Sequence, residues 1–400
     1  MRLVTFAELP MHDTTWSLIS GPDGNAYAAA CCEHTGGIAA VIVRYRANAT
    51  REALLDIGDA TGQPADNGRA TQCKIHYSMV VDQDGILYGA SHLSGPPLGH
   101  LTYNPWGNWA DPRVSFPGAG LVVYDTRTDQ LLWSDFLYPQ EGCRCLALDR
   151  TRRRLYSCTY PLNHFHAYDL ATRTDHDFGR IGAVNPQAVW LDLYDRPYTT
   201  DDFGRILRLD PDRERLETLD VKLPHPPFQN GWHDIVYDAA PCLEPGKVLG
   251  VAWNAWPHFW LYDMTEGDQG RMYDLGPVHR GLTGLEPNQI NQSHVGGLAF
   301  GPDNLLYYSV MCEQHPRHGM VSHLKRFNPH TGEEEDLGPI RDPVSDEWVW
   351  YISRAIWISR RDLILAVVGR TPTGIVHVRF GEEELEDAAG PEFPMLRFWG

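Results

Sequence analysis

The chain has 400 residues, 42% of them hydrophobic and 22% charged, with a formal net charge of −18. That composition is ordinary for a folded soluble chain, and an acidic balance with no basic stripe excludes nucleic acid as an expected partner. No apolar run reaches the ~20 residues a membrane-spanning helix needs, so no membrane association is expected.

In chain order, the first eight residues, Met1 to Glu8, show no apolar core or cleavage site, which predicts no signal peptide and a cytoplasmic location. Residues 2–8 read as a strand able to close a ring of sheets. Eight cysteines, among them Cys31-Cys32 and Cys143-x-Cys145 but no CxxC, read as reduced, packed thiols. Thirteen Trp, 18 Tyr, 37 Gly and 29 Pro point to many short strands joined by tight turns.

One unit then recurs: an apolar strand, a turn of the Gly-Pro-Asp-Gly kind, a second apolar strand, a third ending near Tyr-Asp, and a fourth. The first hairpins turn at Gly21–Gly24, Asp82–Gly85, Asp149–Arg154, Tyr194–Pro197, Leu243–Gly246, Gly301–Asn304 and Arg360–Asp362. Third strands run through Val41–Tyr45, Leu121–Asp125, His166–Asp169, Ile206–Asp210, Trp260–Asp263, Leu324–Phe327 and Ile375–Arg379. Both tallies predict an all-β chain, a seven-bladed β-propeller of four-stranded antiparallel blades forming one domain over residues 1–400. The stretch Leu93 to Gly118 reads as a loop insertion over one face, and no helical periodicity separates the strands.

In such a fold the first strand of each blade lines the axis, and its hairpin partner returns to the same face. The residues at those ends are His76 and His92, Arg144 and Tyr160, Gln187 and Asp201, His233 and Asn254, His294 and Glu313, and Arg354 and Arg370. The first unit offers His12 or Asp13, then Glu33 or His34. If Val81 faces Ile86 across its turn, His76 lies opposite Ser91, and a one-residue bulge moves it opposite His92. A His pair beside Arg and Tyr is an acid–base constellation. Asp84, Asp195, Asp303 and Asp362 recur as turn residues. His164-Phe165-His166 reads as alternation, one imidazole inward and one outward. Trp253, Trp256 and Trp260 could stack a sugar ring or pack a core.

At Lys74-Ile75-His76-Tyr77-Ser78, Tyr88-Gly89-Ala90-Ser91-His92 and Tyr156-Ser157-Cys158-Thr159-Tyr160-Pro161 the chain resembles the propeller polysaccharide lyases: ulvan lyases, rhamnose–glucuronate lyases and, more distantly, oligogalacturonate lyases. The resemblance implies β-elimination on a uronic-acid-containing oligo- or polysaccharide. Carried over by position, it implies His76, His92, Tyr160 and Arg144 as the catalytic set. The family order puts Tyr before Arg, whereas Arg144 precedes Tyr160 here, so Arg180 is a substitute for Arg144. Substrate contacts are expected from Arg180, Gln187, His233, Asn254, Trp253, His294, Glu313, Arg354 and Arg370. No cofactor is fixed by the sequence. A rival reading puts a divalent metal ion on His12, His76, His233 and His294, as in a lactonase or an oxygenase. The other rival is a non-enzymatic carbohydrate-binding propeller.

Overall fold

The computed structural model describes residues 1–34, 37–93, 95–99, 111–225, 234–253, 257–278 and 295–381. After β1 (Arg2–Thr5), the strands come in fours: β2 (Thr14–Ser20), β3 (Ala26–Cys31), β4 (Val41–Tyr45) and β5 (Arg51–Asp56); then, after the single-turn helix α1 (Ile57–Ala60), β6 (Met79–Val81), β7 (Ile86–Ala90), β8 (Ala119–Asp125) and β9 (Gln130–Leu137). There follow β10 (Gly142–Asp149), β11 (Arg154–Tyr160), β12 (His164–Asp169) and β13 (Thr174–Arg180), and β14 (Trp190–Leu191), β15 (Pro197–Thr200), β16 (Arg205–Asp210) and β17 (Arg215–Lys222). The next are β18 (Val236–Pro241), β19 (Lys247–Ala252), β20 (His258–Asp263) and β21 (Arg271–Pro277), and β22 (Val295–Phe300), β23 (Leu306–His315), β24 (Gly319–Phe327) and β25 (Glu334–Pro339). A two-stranded ribbon, β26 (Arg341–Asp342) and β27 (Glu347–Trp348), precedes β28 (Tyr351–Trp357), β29 (Asp362–Val368) and β30 (Gly374–Arg379).

Seven separate four-stranded blades is therefore corrected. The fold is an all-β propeller in which β6–β9, β10–β13, β14–β17, β18–β21 and β22–β25 form five four-stranded antiparallel sheets. The other main strands make one eight-stranded sheet, in which β1–β30–β29–β28 and β2–β5 are joined where Thr14 pairs with Val368. The physical reason is local: the first residue of β2 comes within ladder distance of the end of β29, and one backbone pair fuses what the repeat shows as separate units. The N-terminal strand does pair with the last hairpin, Arg2 opposite His377 and Thr5 opposite Gly374.

The first strand of each unit faces the axis. Around that axis β18 packs beside β22, β22 beside β28, β28 beside β2, β2 beside β6, β6 beside β10, and β10 beside β14. The amide of Gln187, just before β14, donates to the Val236 carbonyl at 3.0 Å and ties β14 back to β18. Middle strands such as Ala26–Cys31 and Asp362–Val368 are buried along their whole length, whereas outer strands such as Thr174–Arg180 are mostly exposed. This is why the former read as near-continuous apolar runs and the latter as charged ones.

The turns carry a device that recurs between sheets. A turn carboxylate accepts a hydrogen bond from a tyrosine hydroxyl on the returning strand: Asp23 from Tyr27 (2.7 Å), Asp149 from Tyr156 (3.1 Å), Asp192 from Tyr198 (3.1 Å) and Asp303 from Tyr307 (2.7 Å). Those tyrosines are buried, so each phenol needs a partner.

Candidate active site

The site is built where β2, β6, β10, β18 and β28 meet. The β6–β7 hairpin pairs Val81 with Leu87, Val80 with Tyr88 and Met79 with Gly89. That register is one residue from the Val81–Ile86 alignment, and it carries His92 across the segment leading into β6, where it bridges to Lys74. The His92 amide donates to the Lys74 carbonyl at 2.7 Å. The rings of His76 and His92 lie 5.4 Å apart, and His76 stacks on Trp16 at 4.6 Å.

The next sheet closes against this pair. The Cys143 amide donates to the Ser91 carbonyl at 2.8 Å, and Gly142 sits against the His92–Leu93 backbone. A Cβ at Gly142 would lie 2.2 Å from the Leu93 nitrogen, so a glycine is what allows the two backbones to touch. That approach delivers Arg144, whose Nη1 donates to His92 Nε2 at 3.2 Å, and Tyr160, whose ring stacks on His92 at 5.0 Å. Leu93, Ala70 and Phe116 pack against the half-buried Tyr160.

Guanidinium groups only donate, so the Nε2 of neutral His92 carries the lone pair and its proton is on Nδ1. Nδ1 of both His76 and His92 is buried without a hydrogen-bond partner. Burial, then the charges of Arg144 and Lys74, holds both imidazoles well below the ordinary histidine value. They are neutral at pH 7, as a base must be.

Three cations and two carboxylates share the cluster. Lys74, 3% exposed, donates to Glu33 Oε1 at 2.6 Å and lies over the Trp16 ring at 4.2 Å, while Trp16 Nε1 donates to Glu33 Oε2 at 2.5 Å. Burial would raise the Glu33 carboxyl, but Lys74 and the Trp16 hydrogen bond bring it below its usual value. Arg354 donates to the fully buried Asp238 and covers the Tyr77 ring at 3.8 Å. Burial raises the Asp238 carboxyl, opposed by Arg354 and by backbone amides including that of Leu298. Arg144 alone of the three has no carboxylate partner among the described residues, and its side-chain hydrogen bond goes to His92. The hydroxyls of Tyr237 and Tyr351 hydrogen-bond to each other beside this group.

His76, His92, Arg144 and Tyr160 are thus brought together as expected from sequence, with Arg354 linked to them through Tyr77, whose ring meets His76 at 4.3 Å. The other residues fall elsewhere or are committed. Arg370 is tied to Glu347 at 2.6 Å, Thr5 and the Pro372 carbonyl, bracing β1 rather than facing a ligand. Glu313 accepts from His323 at 2.7 Å on the β23–β24 extension. Arg180 is exposed on an outer strand and donates to the Gly182 carbonyl. Gln187 is buried, its Oε1 without a partner. Trp253 packs on Tyr237 at 5.8 Å as part of the core. His12 donates from Nε2 to the Ala39 carbonyl at 3.0 Å and joins no group of three ligand-type side chains among the described residues. His233, Asn254, Trp256 and His294 lie outside the described residues. His164 and His166 are corrected: residues two apart on a strand share a face, and both imidazoles point to β13.

Sequence reasoning missed Trp16, Lys74, Tyr77, Asp238 and Tyr351. The available signal was a lone charge beside apolar residues, Lys74 before Ile75 and Asp238 within Val236–Pro241, since such charges are buried only when paired.

The neutral imidazoles give a pH prediction. Burial also lowers His12, so three histidines bind protons more weakly folded than unfolded. Below the ordinary value of about 6.5 the unfolded chain takes up protons that the folded chain does not, so stability falls as pH falls. Each such group contributes up to ~1.4 kcal/mol per pH unit. Urea midpoints should drop between about pH 7 and pH 5, and His76→Asn should flatten that slope. A flat profile in the unmodified protein would show the imidazoles to be protonated in the fold.

No family model matches the chain, and no curated protein matches it in sequence. Solved structures do match in shape. The virginiamycin B lyase of Staphylococcus aureus superposes with a TM-score of 0.59 at 9% identity, covering 95% of this chain and 98% of that one. The WD40 repeats of RRP9 give 0.57 at 10% identity over 92% and 94%. The extracellular domain of the two component system protein BT4673 of B. thetaiotaomicron gives 0.58 at 14% identity, covering 96% of this chain. This chain spans about 40% of the length of that last protein. At such identities the likeness extends to the propeller fold alone.

Proposed function

We propose that the protein is a carbon–oxygen lyase that cleaves a uronic-acid-containing oligosaccharide by β-elimination. The observation that carries this reading is Arg144: a cation without a carboxylate partner among the described residues, held against the lone-pair nitrogen of a neutral histidine. In a uronate the acidic C5 hydrogen is one carbon from the carboxylate. A group that neutralises the carboxylate and a group that takes the proton must therefore be neighbours.

When the substrate carboxylate replaces His92 as the acceptor for Arg144, the His92 Nε2 lone pair is released for the C5 proton. The C5–H electron pair becomes the C4–C5 double bond, the C4–O bond breaks, and the departing oxygen takes a proton from Tyr160. The products are an unsaturated uronate and a free hydroxyl. Arg144 is worth most as negative charge builds on the carboxylate in the transition state.

The test is to incubate the protein with ulvan, pectin and glucuronate-capped oligosaccharides and follow the ultraviolet absorbance of the unsaturated product. Accumulation with any of them supports the reading; silence with all three overturns it.

A further inference from the structure

Away from the axis, the outer strands of the third sheet gather a second set of ionisable groups. His164 and His166 leave β12 on one face, and Asp175 and Asp177 leave β13 toward it, His166 opposite Asp177 in the ladder. His164 Nδ1 lies 2.8 Å from Asp177 Oδ2, His166 Nδ1 lies 2.8 Å from Asp175 Oδ2, and His166 Nε2 lies 3.9 Å from Asp177 Oδ1. The donor atoms of His164, His166 and Asp177 all fall within 4.8 Å of one another. The His166 side chain is only 6% exposed, and its Nε2 is buried with no hydrogen-bond partner.

A carboxylate only accepts, so Asp175 fixes the proton of neutral His166 on Nδ1. The lone pair then sits on Nε2, turned toward Asp177 in a site where burying an unsatisfied polar atom is costly. Tyr138, its ring 4.3 Å from that of His166, walls the imidazole in place.

We propose that His164, His166 and Asp177 bind a divalent first-row transition ion of the zinc class, with Asp175 orienting His166 from behind. Two imidazole nitrogens and one carboxylate suit zinc rather than calcium or magnesium, which take oxygen ligands. Tetrahedral bonds of about 2.0–2.2 Å hold ligand atoms about 3.3–3.6 Å apart, so atoms that all lie within 4.8 Å of one another close by at most about 1.5 Å. His164 shifts its proton to Nε2 and presents Nδ1. Three protein ligands leave a position for water, and the Asp175–His166 pair is the carboxylate–histidine–metal arrangement. The ion sits on the strand that follows the turn from Tyr160, and it is independent of the elimination chemistry.

The experiment is calorimetric titration of Zn2+ into chelator-treated, dialysed protein, repeated with Co2+ to read the coordination spectrum. The expected result is one ion per chain, binding abolished in Asp177→Asn and His166→Asn and weakened about 10–100-fold in Asp175→Asn, while His76→Asn binds normally. Asp177 lies on an exposed strand, so circular dichroism should show its variant folded even if the His166 variant is not. Absence of binding to the unmodified protein, binding indifferent to Asp177→Asn, or binding lost in His76→Asn would each overturn the assignment.

Discussion

Replacing His92 with alanine lowers kcat for uronate elimination by about 10²–10⁴-fold, the range a positioned acid or base supplies, with little change in KM. The argument rests on its three contacts. His92 accepts from Arg144, stacks on Tyr160 and neighbours His76, so it stands between the carboxylate-binding group and the proton donor. Tyr160→Phe keeps the stacked ring and removes only the hydroxyl, so it lowers kcat on a similar scale while thermal stability holds. Arg144→Ala lowers kcat and raises KM together, because the carboxylate is bound in the ground state and more strongly in the transition state. Because His92 is held well below its ordinary value, kcat/KM stays flat as pH falls through about 6.5 and declines only further down. A His92 variant with raised KM and unchanged kcat would make this residue a binding group and remove its proton-transfer role.

Arg354→Met is expected to have the largest effect on stability, about 3–5 kcal/mol, as for breaking one side of a buried ion pair. Asp238 has no exposed surface, and losing Arg354 leaves its charge among apolar walls with only backbone amides to hold it. The double variant Asp238→Asn/Arg354→Met should recover most of the loss, since the amide oxygen keeps the Leu298 N–H satisfied while the buried charge is gone. Arg144→Met gives the contrast: with no carboxylate partner among the described residues, its removal strands no anion and costs much less. Urea denaturation of the four proteins decides it, and equal losses at Arg144 and Arg354 would refute the distinction.

Much of this was legible in the sequence, for identifiable reasons. The hairpin turns repeat because each needs the same backbone chemistry, and the buried middle strands are predominantly apolar, so strand positions follow from pattern. The His76/His92 pair was legible because hairpin ends converge. The fusion of two strand sets through Thr14 and Val368 was not, because one backbone pair leaves no pattern in side chains. Arg370 misled for a similar reason: its place at a strand end was read correctly, but Glu347 and Thr5 come from far along the chain, and only the fold reveals that they occupy it. Asp238 is not legible in the same way because it lies inside β18 rather than at a strand end, and only the fold brings Arg354 to it.

The pairing of β1 with β30 has a kinetic meaning. Arg2 and His377 stand opposite each other, so this ladder cannot begin until nearly the whole chain is available, and its formation comes after the locally closed hairpins. Until then β30 presents an unpaired edge of residues that the finished fold buries, Ile375, Val376 and Val378 among them, and such an edge is a template for another chain. The short strand Arg2–Thr5 therefore guards against aggregation during folding, and trimming it should be felt in refolding yield before it is felt in the finished molecule's chemistry.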